Sequence, residues 1–159
     1  MPSMPRVFLA LRVLLALLFA ALVAAQVGAL PAALRHLAEE SPELAGLRWP
    51  LLTFGVLELV CAQVVVVCTW RLLGMVEDDR IFREESSVWV DAIVRAIVVA
   101  GLLLSGAAVY TAVGRAPAGL PALLLVLLVV VAAVGLLVVV MRALLRRATT
   151  LQADMEAVI

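Results

Sequence analysis

Few residues in this chain have the type and spacing to do chemistry, and most of them interrupt long apolar runs. Glu58 stands in one such run with Gln63, and Gln26 stands in an earlier one. A carboxylate removed from water is destabilised in its charged form, so a neutral Glu58 could hydrogen-bond to Gln26. The pattern favours a structural bond between helices. The alternative is a small transporter or channel subunit in which Glu58 binds a proton or ligand inside the membrane.

A second polar group combines one acid with two bases. Asp91 and Arg95 are four positions apart, a spacing that lets side chains meet on one helix, and Arg12 lies near the start of the first apolar run. The sequence therefore predicts a charge cluster of Arg12, Asp91 and Arg95 that ties two helices together. The alternative is that both arginines extend separately to the lipid headgroups.

Other chemistries lack the residues they need. Cys61 and Cys68 are seven positions apart, which on a helix is about 10 Å and exceeds the roughly 7 Å limit for a disulfide. His36 is the single histidine, and neither a Ser-His-Asp set nor a glycine-rich phosphate loop occurs. We therefore expect no catalytic residue, no cofactor and no metal site, and a protein that is not an enzyme.

The apolar runs that hold these residues cover approximately 7–30, 51–73, 88–111 and 120–141. A helix of about 20 residues crosses the ~30 Å hydrocarbon core of a bilayer. The chain is 66% hydrophobic, whereas soluble domains are usually about 45–50% apolar. The sequence predicts an all-α polytopic membrane protein in which four transmembrane helices form an antiparallel bundle. Residues 1–159 would form a single membrane domain that ends in a tail at 142–159.

The distribution of arginine predicts the orientation of the bundle. An even number of spans places both termini on one side, and cytoplasmic loops are enriched in basic residues. The side that holds the termini carries nine of the twelve arginines, and the other side carries three, Arg35, Arg48 and Arg115. Both termini of this multi-pass protein are therefore expected to be cytoplasmic.

Small residues predict which helices approach closely. Ala16, Ala20, Ala24 and Gly28 recur every four positions in the first span, and Ala92, Ala96 and Ala100 do so in the third. Such stripes let helix backbones pack closely in lipid, which predicts that these two spans cross. The alternative is that alanine is simply abundant in this chain. The fourth span is almost uniformly apolar, which is typical of a lipid-exposed helix at the edge of a bundle.

The loop at residues 74–86 and the tail segment at residues 151–156 carry a family resemblance. The loop contains an Ile-Phe pair, Ile81 and Phe82, followed by a polar stretch that leads into the third span. In these features the chain resembles the bacterial four-span membrane family known as domain of unknown function 2975. The resemblance implies a bacterial inner-membrane protein without an assigned activity. Members are often encoded beside a small helix-turn-helix regulator, which implies a partnership at the cytoplasmic face.

The sequence thus predicts a non-enzymatic regulatory or accessory protein whose partners are the lipid bilayer and a cytoplasmic regulator. The tail at 142–159 and the inner loop would form the contact surface, and the loop residues expected to matter are Arg80, Ile81, Phe82, Arg83 and Glu84. Charge is balanced at 12 basic and 12 acidic residues, so we expect no direct binding of nucleic acid. The transporter alternative would require a homo-oligomer, because four spans alone enclose little space. A third alternative is a lipid-handling or envelope-stress protein that uses the outer loop.

Overall fold

The computed structural model describes residues 4–78, 84–114 and 116–158, and all regular structure in these ranges is helical. Helix α1 covers Met4–Ala24, a π-helical turn covers Ala25–Ala29, and α2 covers Leu30–Glu40. A 3₁₀ turn at Pro42–Leu47 precedes α3 at Arg48–Glu77, and α4 and α5 cover Glu84–Val113 and Gly119–Val158. Four of these helical segments are long and apolar enough to cross a membrane. The prediction of an all-α, multi-pass membrane protein is therefore confirmed.

Proline and glycine mark the turns between the helices. Ser41 leaves the helical region with φ −134° and ψ 86°, and Pro42 then opens the 3₁₀ turn, a position that needs no N–H donor. At the α4–α5 connection the Gly114 N–H donates to the Tyr110 carbonyl at 2.9 Å, and the Leu120 N–H donates to the Pro117 carbonyl at 3.0 Å. Because these two connections are short, α2 runs antiparallel to α3, and α4 runs antiparallel to α5.

The helices pack in chain order. Both α1 and α2 pack on α3, α3 packs on α4, and α4 packs on α5. The predicted crossing of the first and third spans is wrong, because α1 packs on α3 and turns its small-residue stripe outward. Bulkier side chains form the contact instead, since Leu15 lies in a core cluster with Val66 and Leu73. The exposed stripe consists of Ala16, Ala20, Ala24 and Gly28.

Helix α5 lies at the edge of the row, as its uniform apolar sequence predicted. It contains no buried residue, and it packs along α4. Gly135 makes this approach close, since a Cβ atom added there would lie 2.9 Å from Cγ2 of Ile97. The tail that begins at position 142 is helical, because the structure continues α5 without interruption to Val158.

Each end of the bundle has its own set of contacts. At one end, called the Leu47 end, Leu44, Leu47 and Leu51 form a buried cluster against which Leu34 and Leu120 pack. The opposite end, called the Arg12 end, holds the ion pairs that involve Arg12, Glu77, Asp91 and Arg142. The Leu47 end is therefore closed by apolar packing, and the Arg12 end is held by charge.

Candidate functional site

A groove runs along the bundle between its first and last helices. Helices α1 and α2 border it on one side and α5 on the other, while α3 and α4 form its floor. It consists of a cavity of about 470 Å³ toward the Leu47 end and a second cavity of about 370 Å³ toward the Arg12 end. The two cavities share Glu58 and Leu59, and we call the whole feature the Glu58 groove. The row of helices is thus curved, so that α1 and α5 flank one face of the α3–α4 pair.

Glu58 is the one charged side chain among the described residues that line the Glu58 groove. The residue is half-buried, and its Oε2 atom is shielded from solvent and has no hydrogen-bond partner among the described residues. Buried polar atoms without partners are rare in folded proteins, because each one loses its hydration without compensation. The arrangement therefore leaves an acceptor available in the floor of an apolar groove.

Gln26 and Gln63 bond to each other and not to Glu58. The Gln63 side-chain amide donates to Oε1 of Gln26 at 3.0 Å, and the Gln26 amide donates to the Val56 carbonyl at 3.5 Å. The predicted bond between Glu58 and Gln26 is therefore wrong. The reason is the position of each side chain around α3. At 3.6 residues per turn, Glu58 and Gln63 lie about 140° apart around this helix, so that Gln63 faces Gln26 and Glu58 faces a different neighbour.

The π-helical turn at Ala25–Ala29 is the element that carries Gln26. A π turn inserts an extra residue into a helix and re-aims the side chains near it, and such turns often occur at functional sites. Pro31 follows this turn closely, and a proline in a helix removes the hydrogen bond to the carbonyl four residues earlier, here that of Val27. Sequence reasoning missed the turn, although Pro31 was a local signal for it. Its consequence is that Gln26 meets Gln63 on α3 while the groove side of Glu58 stays open.

The charged residues at the Arg12 end pair differently from the prediction. Arg12 forms an ion pair with Glu77, and Asp91 forms one with Arg142 at 2.5 Å. The predicted cluster of Arg12, Asp91 and Arg95 is therefore wrong, and Arg95 is exposed. Helix α3 continues past the predicted end of its span at position 73, which brings Glu77 to Arg12.

The partner of Asp91 could have been found from the chain itself. Asp91 and Arg142 lie almost equally far along the sequence from the connection at residues 114–118. In an antiparallel hairpin of two straight helices, such residues come to the same level. The prediction of the fourth span at 120–141 leaves Arg142 in the tail, and this placement hides the signal.

Arginine and tryptophan side chains stack at the Arg12 end. The Arg12 guanidinium lies 5.9 Å from the ring centre of Trp70, and the Arg71 guanidinium lies 5.6 Å from that of Trp89. Tryptophan is enriched where hydrocarbon meets headgroups. Of the predicted partner-contact loop, Arg80, Ile81, Phe82 and Arg83 lie outside the described residues, and so does the side chain of Glu84.

The end of α5 projects beyond its neighbour. The pairing of Asp91 with Arg142 sets the register of α4 and α5, and by that register Glu84, the first residue of α4, lies level with position 149. The nine residues at 150–158 then extend about 13 Å farther. Every residue of this projecting end is exposed.

An apolar stripe follows one face of α5 from Leu144 to the tip of the projecting end. Its members recur at alternating intervals of four and three residues, which is the spacing of a coiled-coil seam. Four of them are large side chains, with exposed fractions of 57% at Leu144, 65% at Leu151, 72% at Met155 and 87% at Val158. Ala148 completes the set, and we call these five residues the α5 stripe.

Metal and thiol chemistry find little support in the ranges that the structure describes. No group of three or more His, Cys, Asp or Glu side chains there is arranged to hold a metal ion. Cys61 and Cys68 are free thiols on α3. The features that stand out chemically are thus the Glu58 groove and the α5 stripe.

Comparison with known proteins gives one match. No curated protein and no solved structure matches the chain. Residues 32–159, which begin within α2 and include α3, α4 and α5, match the model of the family described as "Protein of unknown function (DUF2975)". Because this match covers most of the chain, the protein belongs to the DUF2975 family.

Proposed function

We propose that this protein is a non-enzymatic regulatory or accessory protein of the bacterial inner membrane that binds a cytoplasmic protein through the projecting end of α5. Three arginines, Arg142, Arg146 and Arg147, lie where α5 leaves the apolar part of its sequence. Basic residues concentrate on the cytoplasmic side of membrane proteins. Their position supports a cytoplasmic location for the α5 stripe.

The observation that carries the proposal is the exposure of the α5 stripe. Burying a Leu, Met or Val side chain contributes about 1.5–3 kcal/mol, and three such side chains of the projecting end, Leu151, Met155 and Val158, are exposed. A helical end of nine residues has little stability of its own in water, because isolated helices of that length are marginal. A second helix packed along the stripe would supply the missing burial, as a and d residues do in a coiled coil.

The charges beside the stripe indicate what kind of helix fits. Arg146 and Arg147 lie near the membrane, whereas Asp154 and Glu156 lie near the tip. Acidic residues in the last turns of a helix are unfavourable, because the carbonyl end already carries partial negative charge. A suitable partner helix would carry basic residues opposite Asp154 and Glu156. It would also carry acidic residues near the membrane, opposite Arg146 and Arg147.

The test is cross-linking in native membranes from a photoreactive residue placed at position 152, beside the stripe. We expect a cytoplasmic protein to be captured, and Leu151→Asp with Met155→Asp to abolish its capture. The matched control is Thr150→Asp with Ala153→Asp, which adds the same charge on the other side of the same helix and should leave capture unchanged. Capture of a second copy alone, or equal capture by both double variants, would overturn the proposal.

The Glu58 groove supports a second candidate function, a small transporter or channel subunit. The observation that favours it is the unpartnered Oε2 atom of Glu58 between two cavities. Because the groove opens on one side of the bundle, a closed pathway would need a second copy. We expect Glu58→Gln to stop the dissipation of an imposed pH gradient in proteoliposomes that the native protein sustains. Equal rates for the native protein and the variant would remove this candidate.

A further inference from the structure

We propose that the Glu58 groove binds a lipophilic amine with two apolar arms. The protonated nitrogen would donate to Oε2 of Glu58, and one arm would occupy each cavity. The inference uses the same site as the transporter candidate, but it concerns equilibrium binding and does not require transport. It assigns a ligand class to a groove whose other described lining residues are apolar.

The position of Glu58 within the groove determines the shape of the ligand. Leu51 and Phe54 of α3 line the cavity toward the Leu47 end, and Val65 and Val66 line the cavity toward the Arg12 end. From Leu51 to Val66 the groove extends about 22 Å along α3. Glu58 lies near the middle of this length, so a ligand that fills the groove must carry its polar group centrally.

The chemistry of the carboxyl group determines the polar part of the ligand. A carboxylate only accepts hydrogen bonds, and Oε2 of Glu58 accepts none from the described residues. None of the described residues that line either cavity is basic. A protonated secondary or tertiary amine supplies both the missing donor and the missing positive charge, and charge-assisted hydrogen bonds are the stronger kind.

Two other occupants fit less well. A lipid acyl chain would cover the apolar walls but would leave Oε2 of Glu58 without a donor. A second copy of the chain docked by a two-fold axis through this face would present the same surface on both partners and bring the two Glu58 carboxyl groups toward each other. Two carboxyl groups close together in an apolar setting cannot both stay ionised, so one of them would have to take up a proton. The amine is the occupant that both covers the apolar walls with its arms and donates a hydrogen bond to the carboxyl group.

The experiment measures saturable binding of dihexylamine to the full chain in lipid nanodiscs by calorimetry, with empty nanodiscs subtracted. Dihexyl ether is the matched control ligand, since it has the same arms but neither a proton to donate nor a charge. We expect one amine per chain, and binding at least about tenfold weaker for the ether or for the Glu58→Gln variant, because a charge-assisted hydrogen bond is lost.

A second variant keeps the test decisive if Glu58→Gln fails to fold. Ala62 lines the cavity toward the Arg12 end, and Ala62→Phe would fill that cavity while leaving the carboxyl group in place. This variant should weaken the binding of dihexylamine by at least about tenfold and leave the binding of single-armed hexylamine nearly unchanged. Equal binding of amine and ether to the native chain, or of dihexylamine to native and Ala62→Phe proteins, would overturn the inference.

Binding and transport can fail separately. A protein that binds dihexylamine in nanodiscs but leaves a pH gradient intact in proteoliposomes would support the ligand site and remove the transporter candidate. A protein that dissipates the gradient through Glu58 but does not distinguish the amine from the ether would do the reverse.

Discussion

Gln63 donates a hydrogen bond to Gln26 at 3.0 Å, and this bond joins the first membrane-spanning segment to the second in the middle of their contact. The rest of the contact between α1 and α3 consists of an apolar cluster of Leu15, Val66 and Leu73 and, at the Arg12 end, the ion pair of Arg12 with Glu77. A hydrogen bond between spanning helices fixes their rotation and depth in a way that apolar packing alone does not. The pair therefore sets the register of one wall of the Glu58 groove.

Replacing Gln63 with Leu should destabilise the protein by about 0.5–2 kcal/mol, because it removes this bond and leaves the Gln26 side chain without its partner. Thermal unfolding in detergent measures the change. The double variant Gln26→Leu with Gln63→Leu should recover part of the loss, since no partner is then left unpaired. Strictly additive losses from the two single variants would show that the bond contributes no coupling.

The pair of Asp91 and Arg142 should tolerate reversal and the neutralisation of one member, but not two like charges. Both side chains are partly exposed, so we expect Asp91→Asn to cost about 1 kcal/mol or less. Asp91→Arg should cost more, because it places two cations together at the Arg12 end. Adding Arg142→Asp should restore stability, and melting temperatures compare the three proteins. Arg95→Ala, at an exposed position on the same helix, is the matched control and should change little.

A methyl group at Gly135 should push α5 away from α4. Its Cβ atom would lie 2.9 Å from Cγ2 of Ile97, closer than packed carbon atoms come, so Gly135→Ala should cost roughly 1–3 kcal/mol. Gly101→Ala in α4 meets nothing within 4 Å and should be neutral or stabilising, because alanine favours helix more than glycine does. Adding Ile97→Ala to Gly135→Ala should relieve the clash. A stable Gly135→Ala protein would mean that the two helices are not packed this closely.

The proposed orientation predicts which side of the membrane each end of the bundle faces. With Cys61 and Cys68 first replaced by alanine, a cysteine at Gln152 should react with an impermeant thiol reagent only after the cells are opened. A cysteine at His36 should react in intact spheroplasts. Reaction of both positions from the same side would contradict an arrangement in which the four helices cross the membrane in alternate directions.

The sequence was sufficient for the helices because their signals are long and redundant. Runs such as residues 120–141 have the length and hydropathy to span a bilayer, and Pro42 and Gly114 stand where the chain turns. Side-chain pairing was harder to predict. It depends on rotation about each helix, and the π turn at Ala25–Ala29 changes that rotation by an amount that the nearby Pro31 does not specify. This explains why Gln26 was assigned to Glu58 when its partner is Gln63.

The prediction of helix neighbours failed for a different reason. Ala16 and the other small residues of its stripe were read as a packing surface, but a stripe identifies a face without identifying what covers it. The bulkier residues of α1, including Leu15, make the contact with α3. The pairing of Asp91 with Arg142, in contrast, follows from simple symmetry about the connection at residues 114–118 and was open to prediction once the fourth helix was extended past position 141.

Helix α5 is a single helix of 40 residues, about 60 Å long, and it lies against α4 along one face. Membrane helices tilt to match the thickness of the surrounding lipid. With no break between its spanning part and its tip, any tilt of α5 swings the α5 stripe through an arc. The thickness of the surrounding lipid therefore affects the position of the α5 stripe relative to the membrane surface.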